Sequence, residues 1–203
     1  RLIRIIYDIL DIAKIEAGKH EPNLKVINFR NKINEILTIH VNNAISKGLS
    51  LKTDIDINIP ETIITEAQRL DHVLLNLVGN AIKFTQNGKI TLIIKNNILT
   101  PDWIDFYITD TGIGISEEDV SKIFEPFRQI DGNITRREGG TGLGLTLCKK
   151  HIEHVGGVIK ITSKLNEGTT VYFSWPFKKY IQENNINNSK NLDSKNEINL
   201  NGI

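Results

Sequence analysis

The stretch DTGIGI, residues 110–115, follows the strand-like run WIDFYIT and is matched, after a gap, by a second glycine-rich stretch, GGTGLGL, at residues 139–145. The first begins with a carboxylate, and the second precedes a helical pattern. Glycine permits positive φ angles and lets a ligand approach backbone amides closely. The pair therefore predicts two sides of one ligand site, although either stretch alone fits a simple hairpin turn.

Three common glycine motifs do not fit these stretches. A calcium loop needs oxygen ligands at its third and fifth positions, where DTGIGI has Gly112 and Gly114. GGTGLGL lacks the G-x-G-x-x-G spacing of a dinucleotide fingerprint, and no Lys-Ser or Lys-Thr pair follows Gly144 as in a Walker loop. Free N–H groups at a helix N-terminus bind anions, so residues 140–144 are predicted to bind phosphate.

A nucleotide would account for both turns. Asp110 ends an alternating strand, and its carboxylate, directed into the domain, could accept a hydrogen bond from the exocyclic amino group of adenine. In LLNLVGNAIKFT, residues 74–85, Asn76 and Asn80 share one helical face and offer two amide oxygens, with Lys83 on the next turn. A triphosphate near few basic residues needs a divalent cation to neutralise its charge.

The composition predicts one principal domain. The 203 residues are 39% hydrophobic, and a formal charge of +1 gives no overall field that would recruit nucleic acid or a membrane surface. The single cysteine, Cys148, excludes an internal disulfide and favours a reducing compartment. No run of eighteen apolar residues occurs, and the lack of any methionine suggests a piece of a longer chain.

Hydrophobic periodicity predicts an α+β fold with about five strands covered on one face by helices. Helices are expected over residues 2–17, 29–46, 66–84 and 141–155, with a short one capped by Ser116. Strands are expected over residues 49–57, 62–65, 89–96, 103–110, 158–165 and 169–177. The apolar stripe of the first helix, formed by Leu2, Ile6, Ile9 and Ala13, requires a partner helix.

The rest of the chain is predicted to form connections. Residues 20–28 read as a linker between the first helix and a domain over residues 29–178. Residues 124–140 have little apolar periodicity and predict a functional loop or lid. Residues 179–203 predict a disordered tail or linker, because eight of the last twenty residues are Asn and few apolar side chains accompany them.

Four motifs occur in a known order. NLVGNAIKF, DTGIGI, IFEPFRQ and GGTGLGL resemble the N, G1, F and G2 boxes of the sensor histidine kinase catalytic domain, and the resemblance covers residues 29–177. The wider superfamily includes type II topoisomerases, ninety-kilodalton heat-shock chaperones and mismatch-repair ATPases. The helix IIYDILDIAKIEAGK also resembles the second helix of the kinase's dimerisation and phosphoacceptor hairpin, so residues 1–19 favour a kinase.

This resemblance implies a two-layer α/β sandwich of the Bergerat type, with a mixed sheet that is covered by helices on one face and preceded in the chain by one long helix. It also implies that Asp110 recognises adenine, with Thr169 supporting it through a water, and that Asn80 holds Mg²⁺ with help from Asn76 while Lys83 contacts phosphate. Further contacts with ATP are implied for Phe84, Gly112, Gly114, Arg136, Arg137, Gly140, Thr141, Gly142, Leu143 and Gly144. The aromatic residues Phe124 and Phe127 would anchor the lid or serve as core residues.

The implied reaction transfers the γ-phosphoryl group of Mg-ATP to a histidine of the hairpin, followed by relay to a response regulator or receiver domain. The full-length protein would be a homodimer with a cytoplasmic catalytic portion and no nucleic-acid partner. The family's acceptor pattern has a proline four residues after His-Glu, whereas HEPN at residues 20–23 places it at once, so the acceptor is expected upstream. A stand-alone ATPase and a non-catalytic regulatory module remain the rival functions. His72 stands where water-activating members carry Glu, which argues against efficient hydrolysis.

Overall fold

The computed structural model describes residues 2–17, 22–129 and 141–181, and it confirms the predicted α+β class. The helices within these ranges are α1 Leu2–Glu16, α2 Phe29–Ser46, α3 Ala67–Phe84, α4 Glu117–Val120 and α5 Gly144–His154. The strands are β1 Lys25–Asn28, β2 Ser50–Ile55, β3 Thr62–Thr65, β4 Lys89–Asn96, β5 Trp103–Asp110, β6 Ile159–Lys164, β7 Gly168–Pro176 and β8 Lys178–Lys179.

Five strands form the main sheet, in the order β2-β4-β5-β7-β6. The pairing of β2 with β4 is parallel and the other pairings are antiparallel, as predicted for a mixed sheet. Alternate side chains of the central strands are buried against α2, α3 and α5. Phe106 and Phe173 stack there with ring centroids 4.5 Å apart, and Phe29 of α2 meets Phe106 edge-on.

A second, three-stranded sheet was not expected from the sequence. Its order is β1-β3-β8, so residues 25–28, predicted as linker, pair with Thr62–Thr65, and Lys179 pairs with Ile63. The sequence predicted only its middle strand, β3. Strands β1 and β8 have four and two residues, which are too few to show alternation, and their pairing with β3 joins distant parts of the chain. Thr65 links this sheet to β7, because its hydroxyl accepts from Trp175 Nε1 at 2.9 Å.

Helix α1 packs against α5. Glu16 forms an ion pair with Lys150 at 3.0 Å, and Ile12 and Ile15 are half-buried on this side. Two residues of the predicted apolar stripe, Ile6 and Ile9, are not covered by α5 and remain 48% and 43% exposed. None of the helices in the described ranges has the length and apolar character needed to cross a membrane.

Helix α5 begins three residues later than predicted. Periodicity placed its start at Thr141, whereas the helix starts at Gly144 and residues 141–143 form a turn. Gly142 has φ +73°, which a right-handed helix cannot contain, and the Leu143 N–H donates to Thr141 Oγ1 at 3.2 Å. The glycine turn therefore lies before the helix. Ser116 caps α4 as predicted, accepting from the Asp119 N–H at 3.3 Å.

Candidate nucleotide site

Asp110 lies at the buried end of β5, with Ile90 of β4 on one side and Thr169 of β7 on the other. Its side chain is 8% exposed, and its Oδ1 accepts a hydrogen bond from the Gly112 N–H at 2.8 Å. Burial raises the pKa of this carboxyl, although the backbone N–H groups of Gly112 and Thr169 partly oppose the shift. The buried carboxylate of Asp110 has lost most of its contacts with water, and a hydrogen bond from a ligand can replace them.

The DTGIGI turn is wedged between α3 and the β6–β7 hairpin. Gly114 has φ +64°, and a Cβ there would collide with the carbonyl oxygen of Lys164. A Cβ on Gly112 would lie 2.5 Å from the carbonyl oxygen of Phe84, which also accepts from the Ile113 N–H at 3.2 Å. Phe84, the last residue of α3, therefore borders the turn that follows Asp110.

Thr169 belongs to a hydroxyl pair that the sequence reading missed. Its Oγ1 lies 2.8 Å from Ser163 Oγ, which donates to the Gly168 carbonyl and accepts from the Ile115 N–H. Since the Ser163 proton goes to Gly168, Thr169 donates to Ser163 and keeps lone pairs available for another donor. Ser163 could have been found from the sequence, because the predicted strands around the NEG turn place it opposite Thr169.

Asn76 and Asn80 form a hydrogen-bonded pair on one face of α3. The Asn80 Nδ2 donates to Asn76 Oδ1 at 2.9 Å, and both side chains are half-buried. This bond uses the amino group of Asn80 and directs its Oδ1 elsewhere, so Asn80 is the better placed of the two ligand candidates. Amide oxygens suit a hard cation such as Mg²⁺, so the donor set fits that ion. One turn on, the Lys83 Nζ lies 4.9 Å from the Phe84 ring centroid.

The second glycine turn meets this pair. A Cβ on Gly144 would lie 2.8 Å from Asn76 Oδ1, so the first residue of α5 rests directly on the Asn76 amide. A Cβ on Gly142 would lie 2.7 Å from the backbone carbon of Phe127, which places the turn on the start of the predicted lid. Leu143 between them is 1% exposed and anchors the turn in the core.

Helix α3 joins the two halves of the site. Asn76 and Asn80 lie beside the second glycine turn, and Phe84 lies beside the first. At about 1.5 Å per residue, Asn76 and Phe84 are about 12 Å apart along the helix axis. The structure thus brings most of the predicted residues to one side of α3.

Three predicted contacts lie outside the described residues, namely Arg136, Arg137 and Gly140. Of the predicted lid, only residues 124–129 are described. Phe127 is 62% exposed at φ 60°, so it is no core aromatic, while Phe124 is half-buried and its carbonyl accepts from Thr146 Oγ1 at 2.9 Å. Phe127 is therefore available to other parts of the chain or to a ligand.

A buried charged cluster near the site was also missed. Arg69 of α3 contacts His151 of α5, with Nη1 and Nδ1 3.0 Å apart, and Glu66 forms an ion pair with Arg69. The His151 side chain is only 2% exposed. No sequence signal identifies this pair, because it exists only once α3 and α5 pack together.

Comparison with known proteins agrees with this geometry. Residues 65–179 match the family model described as histidine kinase-, DNA gyrase B-, and HSP90-like ATPase. The chain is 42% identical over 174 residues to the signal transduction histidine-protein kinase BarA of Escherichia coli, covering 85% of this chain and 19% of BarA. It is 36% identical over 181 residues to the autoinducer 2 sensor kinase/phosphatase LuxQ of Vibrio vulnificus, covering 88% of this chain and 21% of LuxQ.

Solved structures give the same result. Full-length ShkA in complex with AMPPNP superposes with a TM-score of 0.77 at 27% identity, covering 88% of this chain and 36% of ShkA. The catalytic domain of the histidine kinase ThkA superposes with a TM-score of 0.63 at 28% identity, covering 76% of this chain and 95% of that domain. The chain thus spans about a fifth of the curated relatives named above, and it belongs to the histidine kinase-, DNA gyrase B- and HSP90-like ATPase family.

Proposed function

We propose that this chain is the catalytic ATP-binding portion of a two-component sensor or hybrid histidine kinase. It would transfer the γ-phosphoryl group of ATP to a histidine on a hairpin helix upstream of α1. The observation that carries this proposal is the arrangement along α3, where the buried carboxylate turn contacts Phe84 and the second glycine turn contacts Asn76, about 12 Å away along the helix axis. The kinase relatives BarA, LuxQ and ShkA support it.

In this proposal the adenine amino group donates to Asp110, and the hydroxyl of Thr169 supports the base edge. Phe84 borders the base, and Gly112 and Gly114 permit the tight turn beside it, because a Cβ on either residue would collide with a neighbouring carbonyl oxygen. The buried position of Asp110 favours this role, since a charged hydrogen bond is stronger where water is excluded.

The phosphates would lie against the residues between α3 and α5. Asn80 would hold Mg²⁺ with Asn76 assisting, and the bound cation would neutralise charge on the phosphates. Lys83, Thr141, Gly142, Leu143 and Gly144 would orient the phosphates through the lysine and the backbone N–H groups at the start of α5. The proposed phosphate contacts also include three residues that lie outside the described ranges, Arg136, Arg137 and Gly140.

The proposed partners are a second hairpin helix, a second copy of the protein and a response regulator or receiver domain. Exposed apolar residues of α1, such as Ile6 and Ile9, suit a second hairpin helix and a homodimer. A response regulator or receiver domain would take the phosphoryl group, in a cytoplasmic location, and the formal charge of +1 gives no reason to expect nucleic acid. His72, one turn before Asn76, is exposed and offers no carboxylate to activate water, which disfavours the rival ATPase function.

Kinase activity is tested by supplying the acceptor. With γ-labelled ATP and Mg²⁺, the 203-residue chain should give no acid-labile, base-stable phosphoprotein, because it lacks the acceptor helix. The same chain extended upstream to restore the hairpin should form phosphohistidine on the added segment. Labelling of His20 or another histidine of the short chain at a comparable rate would contradict the proposed source of the acceptor. Steady ATP turnover without an acceptor would favour the ATPase.

Adenine recognition is tested by Asp110→Asn. Loss of a charged hydrogen bond costs about 1.5–3 kcal/mol, so ATP affinity in calorimetry should fall by about tenfold to more than a hundredfold. Because burial raises the pKa of Asp110 above its ordinary 3.8, the protonated carboxyl stabilises the ligand-free fold. This stabilisation is complete below pH 3.8 and is lost as the pH rises through the raised pKa. At neutral pH the ligand-free variant should therefore melt no lower than the native chain. Unchanged ATP affinity would exclude the assignment.

The cation site is tested by Asn80→Ala. Loss of a ligand oxygen should weaken binding of Mg-ATP far more than binding of metal-free adenosine, because adenosine does not reach this part of the site. Asn87→Ala, at an exposed position after α3, is the matched control and should alter neither affinity. Equal losses for the two ligands would show that Asn80 has only a structural role.

A further inference from the structure

Helices α3 and α5 run antiparallel and touch at three levels. Gly144 rests on Asn76 at one level, and the His151 ring meets the Arg69 guanidinium at another. Gly144 and His151 are seven residues apart on α5, and Asn76 and Arg69 are seven residues apart on α3, which is about two helical turns in each helix. Between them the Cys148 thiol points to the carbonyl oxygen of Val73, with 3.9 Å between sulfur and oxygen. The Arg69–His151 contact therefore has the same register as the contact that forms the phosphate side of the site.

The Arg69–His151 contact is buried and directional. Arg69 and His151 are 5% and 2% exposed, and Glu66 holds the guanidinium from the other side through its ion pair with Nε. Buried polar contacts contribute little stability compared with apolar side chains of similar volume, and their best documented use is to specify one register. Two apolar residues here would pack in more than one register, whereas a guanidinium needs its acceptor in one place.

The contact also fixes the proton on His151. A guanidinium only donates hydrogen bonds, so Nδ1 accepts and the proton of the neutral ring is on Nε2. The Nε2 atom of His151 faces α1, 4.0 Å from Asp11 Oδ2, and the centroid of the His72 ring lies 5.9 Å from that of His151. The His151 side chain is thus oriented from both sides.

The same geometry excludes a metal centre. Ligand atoms of Asp11, His72 and His151 lie within 4.8 Å of one another, close to the spacing of a transition-metal site. Metal binding through Nε2 would require the proton on Nδ1, where it would face the Arg69 donor. The cluster therefore suits a fixed neutral histidine.

We propose that Arg69 and His151 are positioning residues for phosphoryl transfer. Their contact sets the register of α5 on α3 and so holds the Gly144 turn against Asn76. This role rests on the proposed function, because it concerns the phosphates of the same nucleotide. Asp110, at the adenine end, does not depend on that register.

The test compares two ligands on the 203-residue chain. His151→Leu removes the acceptor, so the affinity for Mg-ATP should fall about fivefold or more while the affinity for adenosine stays the same. His151→Gln, which keeps an acceptor oxygen, should restore most of the difference. The matched control is His154→Leu, the same substitution at a half-buried position one turn later, which should leave both affinities unchanged.

The outcomes separate the two proposals. A native chain that binds Mg-ATP no better than adenosine would overturn the proposed function and this role with it. A native preference for Mg-ATP that survives in His151→Leu would overturn the positioning role alone. Equal losses of both ligands in His151→Leu would show general destabilisation and would also overturn it.

A measurement on the unaltered chain covers the case in which His151→Leu does not fold. Nitrogen NMR of the ¹⁵N-labelled histidine rings at neutral pH should show His151 protonated on Nε2 and unprotonated on Nδ1. Protonation on Nδ1 would overturn the proposal. So would a joint shift of the His72 and His151 signals on adding Zn²⁺, because it would reveal a metal site instead.

Discussion

The contact between Gly144 and Asn76 is the constraint on which the site depends. A side chain at position 144 would meet the Asn76 amide, so Asn76 keeps this position and its hydrogen bond with Asn80 only while the first residue of α5 is glycine. The contact brings free N–H groups of a helix start next to two amide oxygens. Phosphate and a hard cation require these two kinds of group side by side.

The opposite end of the site depends on burial. Asp110 ends a strand that pairs on both sides, and the Gly112 N–H closes the turn on its carboxylate. Burial raises the pKa of this group, so the ionised carboxylate lowers the stability of the ligand-free domain at neutral pH. A binding role gives a reason to keep such a residue, because an asparagine would be easier to bury. Helix α3 holds both ends at a fixed separation.

Much of this could be predicted from the sequence, for reasons visible in particular elements. The main strands are long enough to alternate, and α3 has a continuous apolar face, so both appear in local patterns. Strands β1 and β8 are too short to do so, and the start of α5 shifted because Gly142 adopts a positive φ angle. The Arg69–His151 contact joins two helices distant in sequence, so only the folded arrangement identifies it. The Ser163–Thr169 pair could have been found, because the two residues face each other across a predicted hairpin.

The central claim is that one nucleotide spans both glycine turns. The most direct test follows the backbone amide signals of the ¹⁵N-labelled chain during titration with Mg-ADP and, separately, with adenosine. Mg-ADP should shift the signals of Gly112, Gly114, Gly142 and Gly144 in one saturable transition, whereas adenosine should shift only the first two. If Mg-ADP leaves Gly142 and Gly144 unchanged, or moves the two turns with different affinities, the two turns do not form one nucleotide site.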